Sequence, residues 1–359
     1  MAQQRPQVQS CRPGVQQPGR FISDIDYAAN FEAFLDARPS GAPFCFWAGF
    51  TEQHREFEEG IGERHGIALD AVTVPGFLPD SEQVRRDLAD YAFEIQWFDG
   101  HLERMLRALG KPGERENTIV VVTSDNGMAF PRAKASLYDY GTRMPLALRW
   151  GARARAGRIA EELVSLTDLA PTFLDAAGLR IPEEMTGRSL LPLLEGRGRS
   201  EVVFGIERHF PGSRPGGAGY PSRAIRTATH LYIRNLAPQA SPCGDHPAPS
   251  WPEDDAVGGY GDTDGGPSKT YLWRNRHKYP ELFRLAFGKR PAEEPYDLRE
   301  DPFNMRNLAG DPGYETIRSQ LASRLESYLK RTGDLRAMGR GEELDTVMRR
   351  FPGVPRATR

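Results

Sequence analysis

The stretch Thr118-Ile-Val-Val-Val-Thr-Ser-Asp-Asn-Gly127 decides the fold of this chain. Its first six residues are apolar or β-branched, which is typical of a strand buried on both faces. The turn formers at 124–127 end that strand. Ligands of open α/β sheets gather beyond the carboxyl ends of the strands, where Asp125 and Asn126 offer oxygen ligands to a hard cation. Asp-Asn-Gly is also an ordinary turn sequence, so both interpretations stay open.

A second strand and a long helix precede this stretch. The run 43–50 is continuous and aromatic, so it predicts another fully buried strand with Cys45 in the core. Asp80 and Gln83 predict a capping box, after which apolar residues recur every three or four positions over 84–109. Strand, helix and strand in this order predict a parallel sheet with helical crossovers.

Changes in residue composition and periodicity along the sequence divide the chain into three parts. Residues 1–22 are predicted to be an extended segment, because they are rich in Gln, Pro and Arg without periodicity. Residues 23–196 predict an α/β unit, a partial parallel-type sheet with helices on both faces. Gly, Pro and Ser become frequent beyond it, so 197–359 predict a smaller α+β subdomain. Within that subdomain, the composition of the loop 237–269 predicts mobility.

The composition argues against nucleic acid or membrane partners. Forty-seven Lys and Arg residues against 49 Asp and Glu leave a formal charge of −2, so any anion binding must be local. The three cysteines show no metal-ligand pairing. The first twenty residues hold no apolar stretch of the length an export signal requires. We therefore expect the chain as given in the cytoplasm, although a longer form could be exported.

Two further residues follow the predicted strands. Lys134 comes shortly after the Asp-Asn pair, from where it could reach an oxyanion held by the cation. His54 closes the run 43–50 and could face the same crevice. Taken alone, His54 is more often a surface or hydrogen-bonded loop histidine.

Taken together, these motifs resemble the sulfatase family of the alkaline phosphatase superfamily. The spacing in SDNGMAFPRAKASLYDYGTR is most similar to the heparan N-sulfatase-like branch. The matching pieces are the strand ending in His54, TIVVVTSDNG (118–127), Lys134, YGTRMPLALRW (140–150), VSLTDLAPTFLDAAGL (164–179), TGRSLLPLL (186–194) and YDLREDPFNMRNLA (296–309).

The resemblance implies a role for each residue of the proposed crevice. Asp125 and Asn126 would ligate Ca²⁺, with Mg²⁺ as the other candidate. Lys134 would contact the sulfate, and His54 would bind sulfate or protonate the leaving group. The intact enzyme would hydrolyse a sulfate ester or a sulfamate by attack of a hydrated formylglycine.

The resemblance also implies a pocket for the rest of the substrate, which could be a sulfated sugar. In the similar branch, residues after a strand near 204–207 line this pocket. His209 and Arg223 are therefore the candidates for substrate binding in this sequence. An exposed loop histidine and a solvated arginine are the open alternatives.

The sequence departs from the family at the nucleophile. Family members carry a Cys/Ser-x-Pro-Ser/Ala-Arg motif and paired aspartates near their start. Cys11-Arg-Pro-Gly-Val15 copies only the first and third positions of that motif and lacks its arginine. We therefore expect a truncated sulfatase that lacks the formylglycine nucleophile and is inactive alone.

Two alternatives remain open. The chain could be a non-catalytic remnant or an anion-binding module. It could also be a phosphatase or phosphodiesterase of the same superfamily. That chemistry needs a two-metal ligand set rich in Asp and His, whereas the seven histidines here are scattered.

Overall fold

The computed structural model describes residues 15–110, 114–151, 153–247 and 257–348. Cys11, the weak nucleophile candidate, lies outside these ranges. None of the helices within them combines the length and apolar character that a membrane crossing needs. The α-helices are Tyr27–Ala37 (α1), Ile61–Arg64 (α2), Glu82–Ala108 (α3), Asp139–Thr142 (α4), Leu169–Ala176 (α5), Leu191–Leu194 (α6), Pro267–Arg274 (α7), Pro280–Phe287 (α8), Glu315–Arg331 (α9) and Gly341–Met348 (α10).

The strands form two separate sheets. A two-stranded sheet pairs β1 with β2, and a four-stranded sheet has the order β3-β4-β5-β6. The strands are Val120–Thr123 (β1), Leu146–Arg149 (β2), Glu201–Ile206 (β3), Ser222–Thr227 (β4), His230–Asn235 (β5) and Glu293–Asp297 (β6). Helices and sheets together confirm the α/β class. The predicted parallel pairing is not seen in the described ranges, where each pair of these strands is antiparallel.

Strand β1 differs most from its prediction as an interior parallel strand. It pairs antiparallel with β2, with Val121 opposite Leu148. Its residues are half-buried, apart from the exposed Thr123. The apolar composition of a strand shows that both of its faces can be covered. It does not identify which strand pairs with it, or in which direction. The prediction assumed a parallel neighbour that the described residues do not place beside β1.

The run 43–50 is extended but is not assigned as a strand, contrary to its prediction. Half-buried and exposed residues alternate along it. Phe44 and Phe46 pack against Phe31 and Phe34 of α1, with ring centroids 4.9 to 6.4 Å apart. Among the described residues the opposite face has no such cover, which is why Cys45 is exposed instead of lying in the core.

The N-cap of helix α3 lies one residue later in the chain than predicted. The side chain of Ser81 accepts a hydrogen bond from the backbone N–H of Val84 at 3.3 Å, so Ser81 is the N-cap. The capping box predicted from Asp80 and Gln83 is therefore wrong. Asp80 instead pairs with Arg85 at 2.6 Å.

The inward face of α3 carries charge as well as apolar residues. Asp87, Asp90 and Glu94 are buried along it, whereas Ile95, predicted to be apolar face, is 40% exposed. Buried carboxylates need hydrogen-bond donors, and these come from neighbouring loops. The backbone N–H groups of Gly60 and Gly62, for example, each donate to Asp90 at 2.9 Å.

Apolar packing joins the loop after β1 to the four-stranded sheet. Leu137 and Tyr138 form one core with residues of β4, β5 and β6. Leu321, Leu325 and Leu329 of α9 pack in another core with residues of β4 and β5. The loop after β1 is therefore held against the second sheet. The predicted division at residue 197 stays a prediction.

The exposed indole of Trp47, of which 85% is accessible, should promote self-association of the chain. In Trp47→Glu, we expect the weight-average mass at high protein concentration to fall toward the monomer mass in size-exclusion chromatography with light scattering. Met338→Glu is the control, because Met338 is also exposed, at 54%. A wild-type chain that is monomeric at all concentrations would contradict the prediction.

Candidate functional site

His54 lies in the proposed crevice, defined as the place where His54, Lys134 and Asp264 meet. Its side chain is exposed, and its Nδ1 lies 2.7 Å from the carbonyl oxygen of Arg55. Because a carbonyl only accepts, Nδ1 must carry the donating proton in this contact. A neutral ring then has an acceptor at Nε2, which faces away from the backbone.

Lys134 meets His54 in this crevice. Its Nζ lies 3.4 Å from His54 Nε2 and 2.8 Å from Asp264 Oδ2. The lysine side chain is only 9% exposed. The structure therefore brings together the two residues predicted to be catalytic and adds a carboxylate. Their catalytic roles stay predictions.

Asp125 and Asn126 follow β1 directly, in a turn. Asp125 is exposed, and Asn126 donates through Nδ2 to the carbonyl oxygen of Gly127 at 3.0 Å, which leaves its Oδ1 as an oxygen ligand. A Cβ at Gly127 would collide with the carbonyl oxygen of Tyr140, so this tight turn requires glycine. The chemistry of Asp125 and Asn126 suits Ca²⁺, but two ligands are few for an ion that takes six to eight. Within the described ranges no three His, Cys, Asp or Glu side chains are grouped to hold a metal ion.

A buried ion pair fixes the backbone beside His54. Arg55 donates from both Nη atoms to Asp87 of α3, at 2.7 and 2.8 Å, and from Nε to the carbonyl oxygen of Ala129 at 2.9 Å. Asp87 also accepts from the backbone N–H of Ser268, in the first turn of α7, at 3.0 Å. The carboxylate of Asp87 thus joins α3, the His54 loop and α7. Its partner Arg55 also contacts the loop that carries Lys134, through the carbonyl group of Ala129.

The loop that presents Asp264 is held by a buried lysine. Lys269 is 1% exposed, and its Nζ donates to the carbonyl oxygens of Gly259, Tyr260 and Thr263 at 2.9, 3.3 and 3.1 Å. An ammonium buried this deeply requires such acceptors, so the contacts fix the loop as well as satisfying the charge. The mobility predicted for 237–269 stays a prediction.

Two residues before Asp264, Asp262 anchors the same loop from the other side. It accepts from Ser213 Oγ at 2.9 Å and from the backbone N–H of Phe210 at 2.8 Å, and it pairs with Arg214 at 2.7 Å. Burial raises the pKa of Asp262, but the neighbouring His209 and Arg214 outweigh burial and lower it below its ordinary value. Asp262 is therefore a stable anion that ties the loop to the segment after β3.

The two residues predicted to bind substrate lie in different places. His209 Nδ1 is 3.7 Å from Asp262 Oδ1, at the edge of a small cavity. Arg223 is 7% exposed and pairs with Glu207 and, at 2.8 Å, with Asp334, beside a groove between β3 and α9. His209 is thus linked to the loop of Asp264, whereas the guanidinium of Arg223 is engaged by carboxylates. Substrate binding by either residue stays a prediction.

Two buried carboxylates lie behind the His54 loop. Glu52 is 5% exposed and Glu94 is 1% exposed. The backbone N–H of Gln53 donates to Glu94 at 3.4 Å. Burial, with repulsion from Glu52 and Asp90, raises the pKa of Glu94 to about 7. Glu94 therefore titrates near neutral pH, next to the backbone that carries His54.

The sequence analysis missed Asp264, Asp87 and Lys269. Asp264 lies 130 positions from Lys134, in a segment whose Gly and Pro content suggested an unstructured loop. Asp87 sits in a helical pattern where charged residues usually face solvent. The only local signal was the Asp-Thr-Asp pattern at 262–264, and it does not indicate a partner.

Fold and site define an α/β protein in which an ammonium group, an imidazole and a carboxylate meet. Residues 3–179 match the family model described as Sulfatase. The chain belongs to the sulfatase family.

Curated relatives agree with this assignment. The chain is 28% identical over 301 residues to an ulvan-active sulfatase of Formosa agariphila, covering 82% of this chain and 53% of the relative. It is 29% identical over 328 residues to human N-sulphoglucosamine sulphohydrolase, covering 85% of this chain and 61% of the relative. The chain thus spans about half the length of the curated relatives it matches.

One solved structure supports the fold. It comes from work on the metabolism of multiple glycosaminoglycans by Bacteroides thetaiotaomicron and superposes with a TM-score of 0.62 at 19% identity. The match covers 92% of this chain and 63% of that chain. At this identity the likeness shows the shared fold.

The buried Arg55–Asp87 pair leads to a prediction about stability. Asp87→Asn leaves a buried guanidinium without its counter-charge, so we expect a loss of about 3 kcal/mol in the free energy of unfolding. Urea denaturation of the wild type and the variant measures this loss. Asp80→Asn is the control, because the Asp80–Arg85 pair lies at the surface, with Asp80 60% exposed. Equal small losses in both variants would contradict the prediction.

Proposed function

We propose that this chain supplies the sulfate-binding side of an enzyme that hydrolyses sulfate esters or sulfamates. The observation that carries the proposal is the contact between Lys134 Nζ and His54 Nε2, which lie 3.4 Å apart. Membership of the sulfatase family supports it. Because the chain spans about half of its curated relatives, the activity of the whole protein is part of the proposal.

Lys134 would hold the anion. An ammonium group has three donors, and Asp264 and His54 account for two of them. The third can donate to a sulfate oxygen. The low exposure of the lysine side chain reduces competition from water, which strengthens such a charge-assisted hydrogen bond.

His54 would act on the oxygen or nitrogen that leaves the sulfur. Its Nδ1 is fixed on the carbonyl oxygen of Arg55, so Nε2 is the atom that can exchange a proton with the substrate. Asp264 balances the charge of Lys134 nearby. A protonated His54 would therefore lie beside a neutral Lys134–Asp264 ion pair, which repels it less than an unpaired ammonium would.

The metal ion and the nucleophile complete the proposal. Asp125 and Asn126 would supply two oxygen ligands of a Ca²⁺ site whose remaining ligands lie outside the described residues. A hydrated formylglycine would supply the attacking oxygen in the whole protein.

Sulfated sugars are the substrate class that we propose. The relatives are an ulvan-active sulfatase and an N-sulphoglucosamine sulphohydrolase. The second name matches the branch that the spacing after β1 resembles. The carboxylate of Asp264, beside Lys134 and 18% exposed, would be an acceptor for sugar hydroxyl groups.

The proposal predicts that sulfate esters bind to this chain through Lys134. Titration with phenyl sulfate and with glucosamine N-sulfate, followed by NMR of the histidine ring signals, should give saturable shifts. In Lys134→Ala we expect at least roughly tenfold weaker binding, the value of one hydrogen bond to a charged group. Lys330→Ala is the matched control, because Lys330 is a surface lysine 3.1 Å from Glu326.

The outcomes of this experiment separate the alternatives. Unchanged binding in Lys134→Ala would contradict the proposed site, and tighter binding of phenyl phosphate would favour a phosphatase. Binding without sulfate release is the expected result for this chain, since its sequence lacks the formylglycine motif. Sulfate release that survives Cys11→Ala would show that the nucleophile has another source.

Calcium binding gives a separate prediction. Two oxygen ligands supply little of the coordination and charge that Ca²⁺ requires, so we expect a dissociation constant no tighter than about 1 mM for this chain. Isothermal titration calorimetry of the wild type and Asp125→Ala should show equally little heat. Micromolar binding lost in Asp125→Ala would instead mean that the chain itself completes the site.

A further inference from the structure

The carboxylate of Asp264 is the group nearest to the ammonium of Lys134, at 2.8 Å. The function proposed above uses Lys134 and His54 but gives this carboxylate no contact with substrate. An anion held by Lys134 would share the same ammonium with Asp264. The two negative groups would then lie within a few ångströms of each other.

Asp264 cannot easily move out of the way. Lys269 holds the three carbonyl groups of the preceding loop, and Ser268 donates its backbone N–H to Asp87 on the other side. Between them, Gly266 adopts φ 138°, and a Cβ there would lie 2.5 Å from Nη1 of Arg55. The backbone on both sides of Asp264 is therefore fixed by buried charged groups.

The position of Asp264 has two consequences for a bound molecule. A carboxylate has about four acceptor sites, and Lys134 occupies one, so the others can accept from a hydroxyl or amine beside the bound sulfate. A second anionic group at the same place would be repelled, because like charges a few ångströms apart in a partly buried site interact strongly. Asp264 is 18% exposed, so it is accessible to a ligand in the crevice.

We propose that Asp264 is a specificity-determining residue, which favours substrates with a hydroxyl or amine next to the sulfate and disfavours those with a carboxylate there. This inference rests on the proposed function, because it takes Lys134 as the sulfate-binding group. If Asp264 were only a counter-ion of Lys134, its removal would change the affinity for all sulfate esters by one common factor.

Three aryl sulfates on one scaffold separate these two roles. Phenyl sulfate has no neighbouring group, 2-hydroxyphenyl sulfate has a donor, and 2-carboxyphenyl sulfate has a second anion. Dissociation constants are measured by NMR titration of the full chain. For the wild type we expect the hydroxyl compound to bind at least roughly tenfold tighter than the carboxyl compound.

Asp264→Asn keeps the size of the side chain and removes its charge. We expect the ratio between the hydroxyl and carboxyl compounds to fall by roughly tenfold, mainly because the carboxyl compound binds better. Asp264→Glu keeps the charge and should keep the discrimination, which guards against loss of folding as the cause. Asp80→Asn is the control for removal of a surface carboxylate that pairs with an arginine.

The other possible outcomes distinguish failure of the specificity role of Asp264 from failure of the proposed sulfate site. An equal change for all three compounds in Asp264→Asn would overturn the specificity role while leaving the sulfate site intact. Wild-type affinities that do not depend on Lys134, or a wild type that binds none of the three compounds, would overturn the proposed function and this inference with it.

Discussion

The ion pair between Arg55 and Asp87 is the contact on which the arrangement of the crevice depends. Both side chains are buried, and together they bind α3, the backbone next to His54, the carbonyl group of Ala129 and the start of α7. A buried ion pair rarely adds much net stability compared with apolar residues of the same size. Its value here is geometric, because the bidentate fork of arginine fixes both the distance and the angle between the elements it joins.

The crevice is therefore assembled from three separate parts of the sequence. His54 follows the extended run 43–50, Lys134 follows β1, and Asp264 precedes α7. Each is held by backbone or by buried charge next to it, so a small ligand would meet preformed groups. Preformed groups bind with less loss of entropy than groups that must be ordered on binding. The buried ammonium of Lys269 has the same function for the Asp264 loop that Arg55 has for the His54 loop.

The sequence predicted the local elements better than their partners. Helix α3 could be predicted, because its periodicity acts over a short stretch of chain. The meeting of His54 with Lys134 could be predicted because each follows one of the two apolar runs. The antiparallel pairing of β1 with β2 and the exposure of Cys45 could not, because both depend on what covers a strand. The charged inner face of α3 was missed since Asp87, Asp90 and Glu94 are buried only through donors from distant loops. Asp264 is the extreme case, since no local pattern ties it to a lysine 130 positions away.

The ammonium of Lys134 has two neighbours that affect how it could bind an anion. The ammonium of Lys134 contacts both the imidazole of His54 and the carboxylate of Asp264. A sulfate that accepts the third N–H of Lys134 would also approach Asp264, since both contacts are made to the same nitrogen. The repulsion between the sulfate and Asp264 would be offset only if the bound molecule also donates a hydrogen bond to the Asp264 carboxylate. On the specificity proposed for Asp264, free sulfate would therefore bind less well than a sulfate group whose own neighbours can donate hydrogen bonds.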